Sequence, residues 1–281
     1  MKIGFVGLGQ MGSMMARRLV GWPGGLTVFD LCSEAAKQLA ELGATAVNSV
    51  GEVAEGSDLV CVMVLDDDQV QGVVDEILGS AAAGTIITVH STIRPETAES
   101  LATKALGQGM HLLDVPVSGG PAGARDGRLA LLAGGDRAAF ETCREPFALM
   151  AEVVVHFGPP GAGTRAKLAR NLINFVGIAA ALEASRVAGA CGVDVRKLAR
   201  VTVHSDSLNG GPGAIMVRQD TGPLAPDDPL RPIFEHTLAL GRKDLSLVLE
   251  LAQAIGVALP LSEVALERLP DYLGLPEGEV S

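Results

Sequence analysis

A lysine and an asparagine stand four residues apart in Gly161-x-Gly163-x-x-x-Lys167-x-x-x-Asn171. A helix would carry both on one face. An amine that loses part of its water has a lowered pKa and can take up or return a proton. An amide beside it can hold a hydroxyl or the amine itself. The same pair can equally be a surface lysine and an exposed asparagine. A second candidate is Asp114-Val115-Pro116-Val117-Ser118-Gly119-Gly120. Ser118, Gly119 and Gly120 could close a hydroxyl and two backbone N–H groups around a carboxylate, or form a glycine-rich loop with no ligand. A third is the turn Gly7-Leu8-Gly9-Gln10-Met11-Gly12, with Asp30 ending the next apolar run. Glycines between a strand and a helix let a pyrophosphate approach the helix N-terminus, and a carboxylate further on can accept from ribose hydroxyls. Thr92 ends another apolar run, where it could touch the same ligand. Lys243, in Arg242-Lys243-Asp244, could reach it too or simply pair with Asp244 in solvent.

These groups need a frame. Apolar runs at 3–6, 26–29, 59–65, 85–89, 112–117 and 129–133 alternate with amphipathic stretches at 14–20, 34–42, 69–78 and 95–106. Short continuous apolar strands between helices predict a parallel sheet covered on both faces. Right-handed crossovers make it a doubly wound, Rossmann-like α/β domain. Phe157-Gly158-Pro159-Pro160-Gly161 breaks the alternation, which places the boundary between a dinucleotide-binding domain, 1–161, and an all-α domain, 162–281. From Thr164 the pattern is helical, and Leu172 to Leu182 is apolar on nearly every face. This predicts a helix buried all round, at the centre of its domain or of a subunit interface. Helical patterns follow at 195–203, 238–255 and 261–269, with a glycine- and proline-rich loop at 210–232. Lys167 and Asn171 then face a cleft between the two domains, a favoured place for ligands.

The formal charge of −11 argues against a nucleic-acid partner, which needs a basic surface. Apolar residues at 48% are enough to build cores. No uncharged apolar run is long enough to span a membrane, and no signal peptide is visible, so the expectation is a soluble cytoplasmic protein with a small-molecule partner. Cys32, Cys61, Cys143 and Cys191 form no CxxC pair, and no histidine sits at zinc-ligand spacing from them. Free thiols and no metal are expected. The five histidines read as structural, with His204 and His236 the two that could line a pocket. Asp30 would repel a 2′-phosphate, and Leu31-Cys32-Ser33 after it holds no cation, so NAD is favoured over NADP.

Taken together, the glycine turn, the 114–120 segment, Gly163-x-x-x-Lys167-x-x-x-Asn171 and Lys243-Asp244-Leu245 resemble the β-hydroxyacid dehydrogenase family over nearly the whole chain. That family includes 3-hydroxyisobutyrate dehydrogenase and tartronate semialdehyde reductase. The resemblance implies a homodimer or homotetramer that interconverts a small 3-hydroxy acid and its semialdehyde or keto acid. It implies Lys167 as catalytic acid/base with Asn171 beside it. Ser118, Gly119 and Gly120 would bind the substrate carboxylate, with Phe234 at a pocket position. The glycine turn, Asp30, Val64, Leu65, Thr92 and Lys243 would contact the cofactor. The chain departs from the family at Met63-Val64-Leu65-Asp66, where a proline is common, and at Arg170, where many relatives have asparagine. It also lacks a tryptophan between 204 and 231. These departures bear on the substrate. An imine reductase on the same fold, which generally lacks the lysine, and a non-catalytic dinucleotide sensor, which would not need Lys167, Asn171 and Ser118 together, are the alternatives. A 6-phosphogluconate dehydrogenase typically has a longer helical domain.

Overall fold

The computed structural model describes residues 1–218 and 220–275. The chain forms two compact units, Met1–Arg170 and Asn171–Ser281. The first alternates strand and helix as β1 (Ile3–Val6), α1 (Gln10–Leu19), β2 (Leu26–Phe29), α2 (Ser33–Ala40), β3 (Thr45–Ala46), α3 (Val50–Glu55), β4 (Leu59–Val62), α4 (Asp67–Ser80), β5 (Ile86–Val89), α5 (Pro95–Leu106) and β6 (His111–Asp114). It continues through β7 (Val117–Ser118), α6 (Gly120–Asp126), β8 (Leu129–Gly134), α7 (Arg137–Thr142), α8 (Arg144–Met150) and β9 (Ala151–Gly158) into α9 (Ala162–Ala190). The last helix runs through the division between the units.

The strands lie in the order β3-β2-β1-β4-β5-β6-β8-β7, with β9 beside β8. The six strands from β3 to β6 are parallel, which gives the Rossmann-like order. Alternate residues of the central strands go to opposite cores. Ile3, Phe5, Leu59 and Cys61 join one, while Val6, Val60 and Val62 join the other. With both faces covered, these strands read as unbroken apolar runs rather than alternating ones. Chain order reverses between β1 and β4, and ligands of such sheets bind beyond the carboxyl ends of the strands at that point.

The sheet is not parallel throughout. The 112–117 run splits at Pro116, which has no N–H to give a ladder. β6 ends at Asp114, and β7 starts at Val117 and pairs antiparallel with β8. The 59–65 run likewise ends as strand at Val62. Val153-Val154-Val155, unassigned from sequence, is the middle of β9.

The second unit is helical among its described residues, with α10 (Val195–Asn209), a 3₁₀ turn (Gly211–Ile215), α11 (Arg231–Ile255) and α12 (Pro260–Tyr272) after α9. The expected 210–232 loop is shorter than the sequence suggested, because α11 begins at Arg231 with Pro232 in its first turn. Proline is tolerated there, since first-turn N–H groups have no helical partner anyway. Two small cores hold the unit, Leu224 with Phe234, Leu273 and Leu275, and Val187 with Ala252 and Leu259. The expectation that 172–182 is buried all round is corrected. Leu172 is 65% exposed and Phe175 64%. No other described element of the chain covers that face. By length and composition α9 could also cross a membrane. All four cysteines are free, Cys61 and Cys143 in the core and Cys32 and Cys191 exposed.

Candidate active site

The turn after β1 is built for a ligand that must come close. Gly7 has φ +92°, and a side chain on it would collide with the Met63 carbonyl. One on Gly12 would collide with the Gly7 carbonyl, so α1 could not start where it does. At Gly9 a Cβ would meet nothing, because the residue borders open space. No side chain caps α1, and its first turn holds no acid. Its first N–H groups and the positive end of its dipole are therefore free for an anion. Asp30 follows β2 with both oxygens engaged. Leu8 N–H donates to one at 2.6 Å and Cys32 N–H to the other at 2.7 Å. Each oxygen keeps a lone pair for ribose hydroxyls, and the first bond ties Asp30 to the glycine turn.

A cavity of about 670 Å³ opens over these residues. Gly7, Gly9, Asp30, Val64 and Leu65, all expected to contact a cofactor, line it. Leu8, Gln10, Met11 and Gly12 form the same turn without lining it. Leu8 is buried and reaches the site only through its N–H. The sequence reading missed Asn48, Ser49, Gln69 and Glu76 in the wall. A signal for part of this was present, since Ser49-x-x-Glu52 is a capping box. Ser49 accepts from Glu52 N–H at 3.1 Å, and this sets the start of α3. No lysine, arginine or histidine lines the cavity among the described residues, whereas Asp30 and Glu76 do. A second missed residue is Ser91. Its hydroxyl accepts from Val64 N–H at 3.0 Å and donates to Val64 O at 2.6 Å, fixing the chain after β4. Thr92 beside it is exposed and is not part of the wall.

Elsewhere in the first unit, Ser118 ends β7 opposite Ala130 of β8. Gly119 and Gly120 have φ +130° and +62°, conformations that side chains rarely adopt. Lys167, in the second turn of α9, is 9% exposed. Burial lowers its pKa below the ordinary lysine value, and the charge of Arg170, one turn on, lowers it further. Such an amine gives up its proton more readily than a solvated one. Asn171 follows one turn later on the same helix. In the second unit Phe234 is 3% exposed within its core, and the Arg218 guanidinium lies 5.9 Å from its ring centre. Lys243 pairs with Asp244 at 3.2 Å on α11. No cluster of metal-ligating side chains occurs among the described residues.

An uncapped helix start behind a glycine turn, a carboxylate at the ribose position and an open cavity fit a dinucleotide. Comparison with known proteins agrees. Residues 2–158 match the NAD binding domain of 6-phosphogluconate dehydrogenase, and residues 161–272 match the domain described as NAD-binding of NADP-dependent 3-hydroxyisobutyrate dehydrogenase. The NAD-dependent L-serine dehydrogenase of Pseudomonas aeruginosa is 34% identical over 94% of this chain and 90% of its own length.

The chain belongs to the β-hydroxyacid dehydrogenase family.

It is thus an oxidoreductase that uses a nicotinamide dinucleotide. A crystal structure of a protein from Mycobacterium avium 104 is 50% identical and superposes with a TM-score of 0.94, covering 98% of this chain and 99% of that one. An imine reductase of Streptomyces aurantiacus has a TM-score of 0.77, covering 96% of this chain and 93% of that one, at 19% identity. It shares the fold.

Proposed function

We propose that this family member is an NAD-dependent dehydrogenase that interconverts a small 3-hydroxy acid and its semialdehyde or keto acid, with Lys167 as general acid/base. The observation that carries the reading is the burial of Lys167, which lowers the pKa of its amine, one turn from Asn171. When bound, the nicotinamide accepts the hydride of the carbinol carbon on oxidation and returns it on reduction. Gly7, Gly9, Asp30, Val64 and Leu65 hold the dinucleotide, with the N–H groups of Gln10, Met11 and Gly12 toward its pyrophosphate. Thr92 supplies an outer contact. Ser118 and the N–H groups of Gly119 and Gly120 hold the substrate carboxylate and so fix the carbinol. On oxidation, neutral Lys167 takes the hydroxyl proton as the C–O bond becomes a carbonyl. On reduction its ammonium gives that proton back. Asn171 holds the hydroxyl or the amine in line for the transfer.

The cavity wall supports NAD over NADP. A 2′-phosphate would stand against Asp30 with no cation among the described residues of the wall to offset it. That the Pseudomonas L-serine dehydrogenase is NAD-dependent supports the same choice, and it makes L-serine, itself a 3-hydroxy acid, a compound to assay first. The test is NADH formation with a panel of 3-hydroxy acids, L-serine among them, using NAD and NADP in parallel. Lys167→Ala should lower kcat roughly 10²–10⁴-fold while NADH still binds. Near-normal turnover in that variant removes Lys167 from the mechanism. No turnover with any panel member leaves a dinucleotide-binding protein without this activity.

A further inference from the structure

Asp114 is the last residue of β6, 1% exposed, and both its oxygens are taken by one helix start. Gly161 N–H donates to Oδ1 at 2.8 Å and Thr164 N–H to Oδ2 at 2.7 Å. Two bonds from donors three residues apart fix both the advance of α9 along its axis and its rotation about that axis. Lys167 follows Thr164 by less than one turn. Backbone packing enforces the same placement. A Cβ on Gly163 would collide with the Leu132 carbonyl, and one on Gly134 would stand 2.7 Å from Gly163 N. The start of α9 is therefore seated on the ends of β6 and β8. β8 is also the strand that pairs with Ser118, through Ala130. The carboxylate loop and the amine thus hang from one strand.

We propose that Asp114 is a positioning residue for the reaction: by gripping the first turn of α9 it sets where the Lys167 amine stands relative to Ser118. This rests on the reading of Lys167 as the proton carrier. A neutral residue could not substitute fully. Asparagine offers a single oxygen, and its NH₂ group would face an N–H donor. Misplacement of a reacting group by about 1 Å can lower a rate about 10²-fold, so a small slip of the helix suffices.

The test is Asp114→Asn. Turnover of the best panel substrate should fall about 10²-fold, with the Kd for NADH, read by fluorescence titration, unchanged within about twofold, since no wall residue of the cavity comes from β6 or α9. Acylation of Lys167 by a water-soluble anhydride, followed by mass spectrometry, should become several-fold faster as the helix start loosens. Added to Lys167→Ala, the substitution should lower the residual rate by less than about twofold, because the two residues act through one step. If Asp114 only stabilises the fold, Asp114→Asn lowers the melting temperature alone. Turnover per folded molecule and Lys167 acylation then stay as in the parent, and the proposal falls. Should Asp114→Asn not accumulate as folded protein, Gly163→Ala keeps the carboxylate but displaces the same turn. It must give the same slower turnover and faster acylation, and parental values for both overturn the proposal. If Lys167→Ala is itself near-normal, it is the reaction assignment that fails. If Lys167→Ala collapses and Asp114→Asn does not, only the role of Asp114 fails.

Discussion

Asp30 shows how one side chain can serve ligand and fold together. Its carboxylate faces the dinucleotide cavity and also accepts the N–H of Leu8 in the glycine turn. Asp30→Asn should weaken NAD binding about 10-fold or more, since a hydrogen bond to a charged group is worth about 1.5–3 kcal/mol. It should weaken NADP binding less, so the ratio of the two Kd values narrows. An unchanged ratio would show that Asp30 does not read the ribose. Arg170 stands where many relatives carry asparagine, and its charge helps to hold the Lys167 amine below the ordinary lysine value. If neutral Lys167 is the base, oxidation fails as pH falls through that lowered pKa. Arg170→Asn should move this acid limb of kcat/KM to higher pH, and a limb that stays in place would separate the two residues. His90 is buried between Phe5 and Phe147 with Val115 O on its Nδ1 at 2.9 Å, and burial pushes its pKa down to about 4 from 6.5. Unfolding lets it take a proton at any pH between those values. Stability should therefore be full above 6.5 and decline as pH falls toward 4, by about 2 kcal/mol at pH 5. Urea midpoints at pH 7 and 5 measure this, and His90→Leu should remove most of the difference.

At the scale of elements, helix starts held by a side chain are of two kinds, beside starts such as that of α1 that no side chain caps, and the difference explains what sequence could reveal. Ser49, Asp66, Asp136 and Asp194 cap their own helices from the adjacent position, a pattern visible in a string of letters. Three others are held by carboxylates from far along the chain. Asp67 accepts the N–H of Arg94 at 3.0 Å and the hydroxyl of Thr97 at the start of α5. Asp114 does the same for α9. Glu183, 5% exposed, accepts the N–H groups of Leu261 and Ser262 and the Ser262 hydroxyl at the start of α12. Burial alone would raise the Glu183 carboxyl, but these bonds and the nearby Arg186 bring it below the usual value. No local spacing announces such a partner, so Asp114 was legible as part of a motif but not as a helix anchor. Glu183→Gln should cost about 1–3 kcal/mol, because a buried N–H or hydroxyl loses its charged acceptor. Denaturant unfolding checks the size. Since the carboxyl is held below its usual value, its stabilising share should shrink as the protein is acidified through the carboxylate range, and a pH-independent difference between parent and variant would contradict the assignment.

For the whole molecule, periodicity carried the first unit well because the central strands β1, β4 and β5 are buried on both faces, so local apolar runs and global burial coincide. It failed where they diverge. Pro116 cut one run into two strands, the second paired only with antiparallel β8, and β9 lay hidden beside a segment read as a break. In α9 apolar residues on every face suggested burial, yet Leu172, Phe175 and Leu182 are 60–65% exposed. Burying a side chain of this size contributes about 1.5–3 kcal/mol, so such a face left in water forgoes several such contributions. The tension resolves if another copy of the chain covers the face, because an isologous contact presents each of these residues twice. We therefore expect light scattering to find an oligomer in detergent-free buffer. Leu172→Glu with Phe175→Glu should weaken the association by at least about 100-fold, since the two buried side chains together contribute more than the roughly 2.7 kcal/mol that this factor represents. Another surface that would take such a helix is a bilayer. Co-sedimentation of the parent with lipid vesicles, alongside a monomeric mass in their absence, would replace the second copy with lipid.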